Sequence, residues 1–244
     1  MPGDLAVITP FFMYTPSTYM LEAYDKYKVL LKGHDVDLFT IEAKLPHMDY
    51  RIKKSKYETE LFRVEVEQPL WHKEALINWA ARRLPSRYDK IAWIDGDIIL
   101  PKGWDREVCS KLDSKMKVLQ IGGKFYDMAR DGKTVTSTRP SLGRTYRQFR
   151  AGHLKTIFSV LNPGKAYPGM AWAARRDLFK EVGGLFDEGI IGSGDSLTAS
   201  AMLGSVLPLR EKIVLPMRDE AKKIIPHIIP ALTEYFGKDV ELMS

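Results

Sequence analysis

Two aspartates separated by one glycine, Asp95-Gly96-Asp97, close a compact apolar run, Lys90-Ile91-Ala92-Trp93-Ile94. Carboxylates at that spacing can converge on one divalent cation, and the glycine between them lets a ligand come close to the backbone. Hard cations such as Mg²⁺ or Mn²⁺ take oxygen ligands, commonly one or two carboxylates with water and phosphate oxygens completing the shell. Asp-x-Asp alone is a weak signal, because the same pair occurs in turns where one aspartate caps the next helix. Cys109 is the single cysteine. That excludes an intrachain disulfide and a cysteine-rich metal framework, so any metal must be held by oxygen or histidine. Cys109 itself is expected in the core, without chemistry.

Charge is the second feature with chemical content. From Gly132 to Arg176 there is no Asp or Glu, yet the stretch carries Lys133, Arg139, Arg144, Arg147, Arg150, Lys155, Lys165, Arg175 and Arg176. These nine cations exceed the net charge of +6, so the remainder of the chain is net negative by three. A one-sign block of this kind is either a solvated basic surface or a segment that meets an anion.

The elements that must position these groups follow from periodicity. Leu5-Ala6-Val7-Ile8 reads as a buried first strand running into an aromatic-rich loop, Thr9 to Pro16. A helix is expected from Ser17, whose hydroxyl can cap it, with Met20, Leu21, Tyr24, Tyr27, Val29, Leu30 and Leu31 as a broad inner face up to Gly33. Val36 to Ile41 and Leu61 to Val66 read as strands, with an irregular connection over residues 45–56. Leu70 to Leu84 reads as a helix that stops before Pro85. Lys90 to Ile94 is then a central buried strand that delivers Asp95 and Asp97 to its C-terminal edge. A helix from Asp105 to Leu112 and a strand from Lys117 to Ile121 follow. Arg139-Pro140, Leu142-Gly143 and Asn162-Pro163-Gly164 break up the basic stretch and predict loop there. A strand at Met170 to Ala174 and helices at Asp177 to Val182 and Asp195 to Leu203 complete the pattern.

This alternation defines an α/β class with a central, mixed but mostly parallel sheet flanked by helices, and such sheets bind ligands at the C-terminal ends of their strands. With 244 residues, 45% of them hydrophobic, one large domain is the simplest expectation. No run reaches the roughly 18 to 20 apolar residues needed to span a bilayer, and the N-terminus lacks a signal-peptide pattern. A cytoplasmic location is therefore expected.

The segments Trp71-His72-Lys73-Glu74-Ala75-Leu76-Ile77-Asn78, Leu84-Pro85 and Lys90 through Ile99 together resemble the donor half of glycosyltransferases with the nucleotide-sugar-binding A fold, of the family-2-like Asp-x-Asp type. Downstream, Pro168-Gly169-Met170-Ala171-Trp172-Ala173-Ala174-Arg175-Arg176, Gly183 to Glu188 and Gly192-Ser193-Gly194-Asp195-Ser196 resemble the acceptor loop and catalytic segment of that family. The resemblance spans residues 5–205, and the order and spacing of its pieces make it more specific than any one of them. It implies one glycosyltransferase domain over 1–244, with a donor half at 1–100, an acceptor and catalytic half at 101–205 and an extension at 206–244.

The resemblance also implies roles. Thr9 and Phe11, or Phe12, in the first loop would contact the nucleoside of the donor, an aromatic ring stacking on the base; burial of both phenylalanines in the core is the structural alternative. Lys73 and Asn78 would reach the diphosphate or base. Asp97 would be the main metal ligand, with Asp95 holding the ribose or a metal-bound water and sharing the metal. A divalent metal, Mn²⁺ or Mg²⁺, and a UDP-linked sugar are the implied cofactor and donor. Trp172, Gly194 and Arg175 would shape the acceptor side, Trp172 as an apolar platform for a sugar or base face, with burial in the core as its structural alternative; Asp195 would be the base that takes the acceptor proton, or, as an alternative, caps a helix. Asp187 and Glu188 are further options for the base. His227 lacks the aromatic-flanked setting of the family's late metal histidine and is expected not to be a ligand.

The acceptor stays open between a hydroxymethylated base in DNA, as used by glycosyltransferases of some bacterial viruses, and a glycan or lipid-linked saccharide. A DNA base would have to be flipped from its stack while Arg and Lys hold phosphates. Two other classes compete: a non-catalytic nucleic-acid-binding α/β protein, and a nucleotidyl- or phosphotransferase. The missing Gly-rich Lys-Ser/Thr phosphate loop argues against the latter.

Overall fold

A computed structural model of the chain describes residues 4–15, 17–114, 116–150, 167–187, 194–196, 198 and 242–243. In chain order the strands are β1 (Leu5–Phe12), β2 (Asp37–Lys44), β3 (Glu60–Glu65), β4 (Lys90–Ile94), β5 (Val118–Gln120), β6 (Lys124–Met128), β7 (Val135–Pro140), β8 (Ala171–Arg175) and β9 (Leu242–Met243). The helices are α1 (Thr18–Leu31), α2 (Lys73–Ala81), α3 (Trp104–Asp113), α4 (Leu142–Arg150) and α5 (Arg176–Glu181). The chain forms two compact units, Met1–Lys117 with Ala171–Gly194, and Val118–Met170 with Asp195–Ser244.

The first unit carries the strand order β3-β2-β1-β4-β8. The pairs β3/β2, β2/β1 and β1/β4 are parallel, and β4/β8 is antiparallel. This is the expected mixed, mostly parallel α/β arrangement. Chain order reverses between β1 and β4: β2 and β3 build outward on one side of β1, and the chain then returns through α2 to lay β4 on the other. A crevice opens outside the strand ends at such a reversal.

β1 is longer than its sequence suggests. Leu5 to Ile8 are fully buried between β2 and β4, but pairing with β2 continues through Pro10 to Phe12. Past Ile8, among the described residues, only β2 flanks the strand, the setting in which a proline with no N–H to give is tolerated. As expected, Ser17 caps α1, its hydroxyl oxygen accepting from the Met20 N–H at 3.4 Å. The inner face of α1 is narrower than predicted. Tyr24, Tyr27 and Leu31 are buried at helical spacing, whereas Met20, Val29 and Leu30 are exposed: positions 29 and 30 lie around the helix from the 24-27-31 stripe. α2 is also shorter than predicted, starting at Lys73 and leaving Leu70 and Trp71 exposed.

In the second unit β5 pairs in parallel with β9, and β6 and β7 form a separate antiparallel ribbon. The ribbon and α4 replace the loop predicted for the start of the basic stretch. Gln120 organises the neighbouring chain: its Nε2 donates to the carbonyls of Tyr167 and Gly169 at 2.7 and 3.0 Å, and its Oε1 accepts from Leu142 N–H at 2.8 Å. Among the described residues no helix is long and apolar enough to cross a membrane.

Candidate functional site

The C-terminal ends of β1 and β4 deliver Pro10-Phe11-Phe12 and Asp95-Gly96-Asp97 to one cavity of about 270 Å³, lined also by Tyr19, Met20, Trp71 and Lys73. Its floor is built from the sequence upward. Gly96 rests on two side chains: a Cβ there would stand 3.2 Å from the Tyr24 ring and 3.3 Å from the Thr9 methyl. Thr9 is fully buried and its hydroxyl bonds Tyr27 Oη at 2.7 Å. Tyr24 Oη bonds Thr40 Oγ1 at 2.6 Å and donates to Glu58 at 3.0 Å. The acidic turn therefore sits on a fixed polar platform, and Thr9 belongs to that platform rather than to the cavity lining.

Trp71 and Lys73, on either side of His72 at the entry to α2, line one wall. Trp71 meets Phe12 edge to face, with ring centroids 5.2 Å apart. His72 stands at the cap position of α2 but makes no side-chain cap bond there; its Nδ1 instead bonds Tyr14 Oη at 2.7 Å. Burial pushes the Tyr14 hydroxyl up to about 12. Lys73, nearly fully buried, pairs with Asp95 at 2.7 Å. Phe11 lies behind the lip, buried against Tyr24 at 5.4 Å. Tyr19, Met20 and Trp71 are 49, 42 and 42% exposed, which leaves an open aromatic rim beside the carboxylates.

Asp97 is accessible from the cavity, yet burial of its carboxyl group and the neighbouring Asp95 carboxylate raise its pKa, against the opposing pull of its own backbone N–H and of Lys73. Among the described residues Asp97 forms no ion pair, and none of the described His, Cys, Asp or Glu side chains gather in threes around a metal position. Two crowded carboxylates with one lysine are a donor set that a hard cation suits, provided that water and phosphate oxygens fill its remaining positions. The residues fit such an ion.

Other predicted site residues lie elsewhere. Both hydrogen-bonding ends of the Asn78 amide are engaged: Nδ2 donates to Leu185 O at 2.6 Å and to Asp187 at 3.0 Å, while Oδ1 accepts from Leu185 N–H at 2.7 Å. Asn78 thus clamps the turn at Gly184, whose φ of +102° only glycine adopts easily and whose Cβ would collide with the Asn78 amide. Trp172 is 3% exposed and stacks on Trp93, with centroids 6.5 Å apart and planes 6° from parallel. Of the two readings of Trp172, burial in a core pair is the one that the fold favours, because β4 and β8 are buried partners and 93 faces 172 in their register. Arg175 pairs in register with Lys90, at the opposite end of β4 from Asp95 and about 15 Å away. It binds Asp177 at 2.6 and 3.1 Å, away from the acidic turn.

Gly194 abuts Glu74 so closely that a Cβ would overlap the carboxylate. Asp195, in the second unit, lies over Gly169, where a Cβ would come within 2.7 Å of Asp195 Oδ2. Met170, the next residue, takes a left-handed φ of 79°. Sequence reasoning missed Gln120, a single polar residue in a short strand that gave it no spacing to read. Cys109 is half-buried, and burial raises its thiol to about 11. Glu188, Gly192, Ser193 and His227 lie outside the described residues.

No protein-family model and no curated protein matches the chain. Solved structures do. A Drosophila β-1,4-galactosyltransferase 7 mutant in complex with manganese, UDP-Gal and xylobiose matches at 16% identity and a TM-score of 0.43, over 80% of this chain and 58% of that one. This chain thus spans less than two thirds of that structure. Glucosyl-3-phosphoglycerate synthase of Mycobacterium tuberculosis, with Mn²⁺, UDP and phosphoglyceric acid, matches at 13% and 0.41 over 96% and 79% of the two chains. A 4-diphosphocytidyl-2C-methyl-D-erythritol synthase of Anaerococcus prevotii matches at 11% and 0.36, over 98% and 86%. The matches therefore include both glycosyltransferases and a nucleotidyltransferase.

Proposed function

We propose that this chain is a metal-dependent glycosyltransferase that moves a sugar from a nucleotide-sugar donor to an acceptor hydroxyl, with a hydroxymethylated base in DNA as the acceptor. One observation carries the reading: a single cavity at the β1/β4 reversal joins an aromatic rim to a crowded pair of carboxylates. The rim suits a planar base, and the carboxylates suit a cation that binds a diphosphate.

In this reading Phe12, Tyr19 and Trp71 hold the base, and a sugar diphosphate lies along Gly96, where no side chain intervenes. Asp97 and Asp95 would hold Mg²⁺ or Mn²⁺, which when bound supplies positive charge for the leaving diphosphate. Lys73, at the start of α2, adds a second positive charge at the same place, where a helix N-terminus also favours anions. Asp195 is assigned the acceptor proton on its sequence resemblance, and Asp195→Asn tests that role by abolishing transfer while sparing donor binding. Thr9, Asn78 and Trp172 act only through the framework.

The experiment is a binding and hydrolysis screen of the purified protein against UDP-, GDP-, CMP- and TDP-sugars with Mn²⁺ or Mg²⁺. Metal-dependent engagement of one donor by the wild type, lost in Asp97→Ala, is the expected result. Equal behaviour of the two proteins rejects the site, and turnover stimulated by modified DNA but not by glycans decides the acceptor.

A further inference from the structure

The β6–β7 ribbon is a surface that the donor cavity does not use. The two strands pair only with each other among the described residues, and their two faces differ. One face holds buried Phe125 together with Asp127, Ser137 and Arg139; Arg139 binds Asp127 at 2.9 Å and lies over the Tyr167 ring at 4.8 Å. The other face presents Lys124, Tyr126, Met128, Val135 and Thr138, with Tyr126 55% and Val135 49% exposed.

The charges are divided the same way. Between Lys124 and Arg150 the sequence has seven cations and two carboxylates, a net of five on 27 residues when the whole chain carries +6. Both carboxylates are engaged locally. Asp127 accepts from Ser137 and Arg139, which hold its pKa down. Asp131 accepts from Lys133 N–H, Thr134 N–H and the Thr134 hydroxyl in the turn, which hold it down to about 2. Lys124, Arg130, Lys133 and Arg144 are exposed and form no ion pair among the described residues. In α4, which follows directly, Arg144, Arg147 and Arg150 recur every third residue.

An exposed apolar strip is commonly a binding surface. A strip flanked by unpaired cations and free of exposed acids on its own face suits a polyanion with apolar planes. We propose that the ribbon is a DNA-binding arm: Lys124, Arg130, Lys133 and Arg144 contact backbone phosphates, while Tyr126, with Met128 and Val135 beside it, contacts bases. A two-stranded ribbon fits the major groove, where phosphates position the protein and base edges meet its side chains. This inference deepens the proposed function by assigning a surface to its DNA acceptor, and rests on that half of the reading.

The test measures binding of the full chain to a fluorescent DNA duplex by anisotropy, from 50 to 300 mM salt, alongside UDP-sugar binding by the same proteins. The triple variant Lys124→Glu/Arg130→Glu/Lys133→Glu is expected to lose more than tenfold in DNA affinity. The slope of log affinity against log salt should also flatten by about 0.9 for each phosphate that the variant no longer neutralises. Tyr126→Ser is expected to weaken binding several-fold with the slope unchanged, and guards against a folding defect in the triple variant. UDP-sugar binding should stay within twofold throughout. Unchanged DNA affinity in both variants overturns the arm, as does equal binding of an acidic polysaccharide such as heparin with the same sensitivity to Tyr126→Ser. DNA binding through the ribbon without any nucleotide-sugar engagement sustains the arm and removes the transferase reading; the reverse result removes only the arm.

Discussion

Each end of β4 has a lysine beside two aspartates, and the two groups are put to opposite use. At its N-terminal end Lys90, almost fully buried, binds Asp4 and Asp113, the latter at 2.7 Å. At its C-terminal end Asp95 and Asp97 share the neighbourhood of Lys73. Each end thus sets one lysine against two aspartates. At the first, burial works against the lysine's charge, but hydrogen bonds to Asp113 and Asp4 outweigh it and raise the Lys90 pKa. At the second, burial and mutual repulsion raise an aspartate, Asp97, instead. One end is internally compensated, while at the other burial and a like charge hold the Asp97 carboxyl above its ordinary range. A lysine beside two aspartates is therefore no guide to function until it is known how each group is partnered.

Four substitutions can break or sharpen this contrast. The largest effect is expected from Asp97→Asn, which should lower metal-dependent donor turnover by about 10²-fold or more while the melting temperature holds or rises. Lost stability with intact turnover would make the two ends alike. Lys90→Met should act in the opposite sense, costing about 1–3 kcal/mol in urea unfolding, because the partners Asp4 and Asp113 are exposed enough to rehydrate, with UDP-sugar affinity preserved. That effect has a defined pH window. Because the folded pKa of Lys90 lies above its unfolded value, its contribution is complete below about pH 10.4 and fades as pH rises through the folded pKa. Stability curves of wild type and Lys90→Met between pH 8 and 12 should accordingly converge at the alkaline end. Tyr14→Phe removes the bond to His72 at the cavity wall. A several-fold rise in donor KM at constant kcat is expected, matching about 1 kcal/mol for one hydrogen bond. Arg175→Ala should be nearly silent, within about 0.5 kcal/mol in thermal unfolding and without effect on acceptor use, since its partner Asp177 is exposed.

How much of this is legible in the sequence depends on whether a residue's role is local. β4 and the acidic turn are readable because five consecutive residues of a compact apolar run ending in Asp-Gly-Asp leave few alternatives. Ser17 is readable as a cap for the same reason. Trp172 is ambiguous in sequence because its motif suggests an open platform, while its neighbours Ala171, Ala173 and Ala174 form an apolar run that signals burial on both faces. The ribbon is hidden by charge. Lys124-Phe125-Tyr126-Asp127-Met128 and Val135-Thr136-Ser137-Thr138 flank Asp131-Gly132, a usual hairpin signal, but the surrounding cations and prolines argue for loop. Asn78 stands five residues from Lys73, and that spacing pairs the two on paper. Its real partners are more than 100 residues away, and no local pattern encodes them.

Trp71, His72 and Lys73 are consecutive, and they touch Phe12, Tyr14 and Asp95. Trp71 and His72 lead directly into α2, which begins at Lys73, so one short stretch of chain is the lever that joins the aromatic rim to the acidic turn. Thermodynamic reciprocity then applies: whatever factor a divalent ion adds to nucleotide affinity, the nucleotide must add to the ion's. The two ligands should titrate as a cooperative pair, and loosening the lever at Tyr14 should lower that shared factor more than it lowers either affinity measured alone.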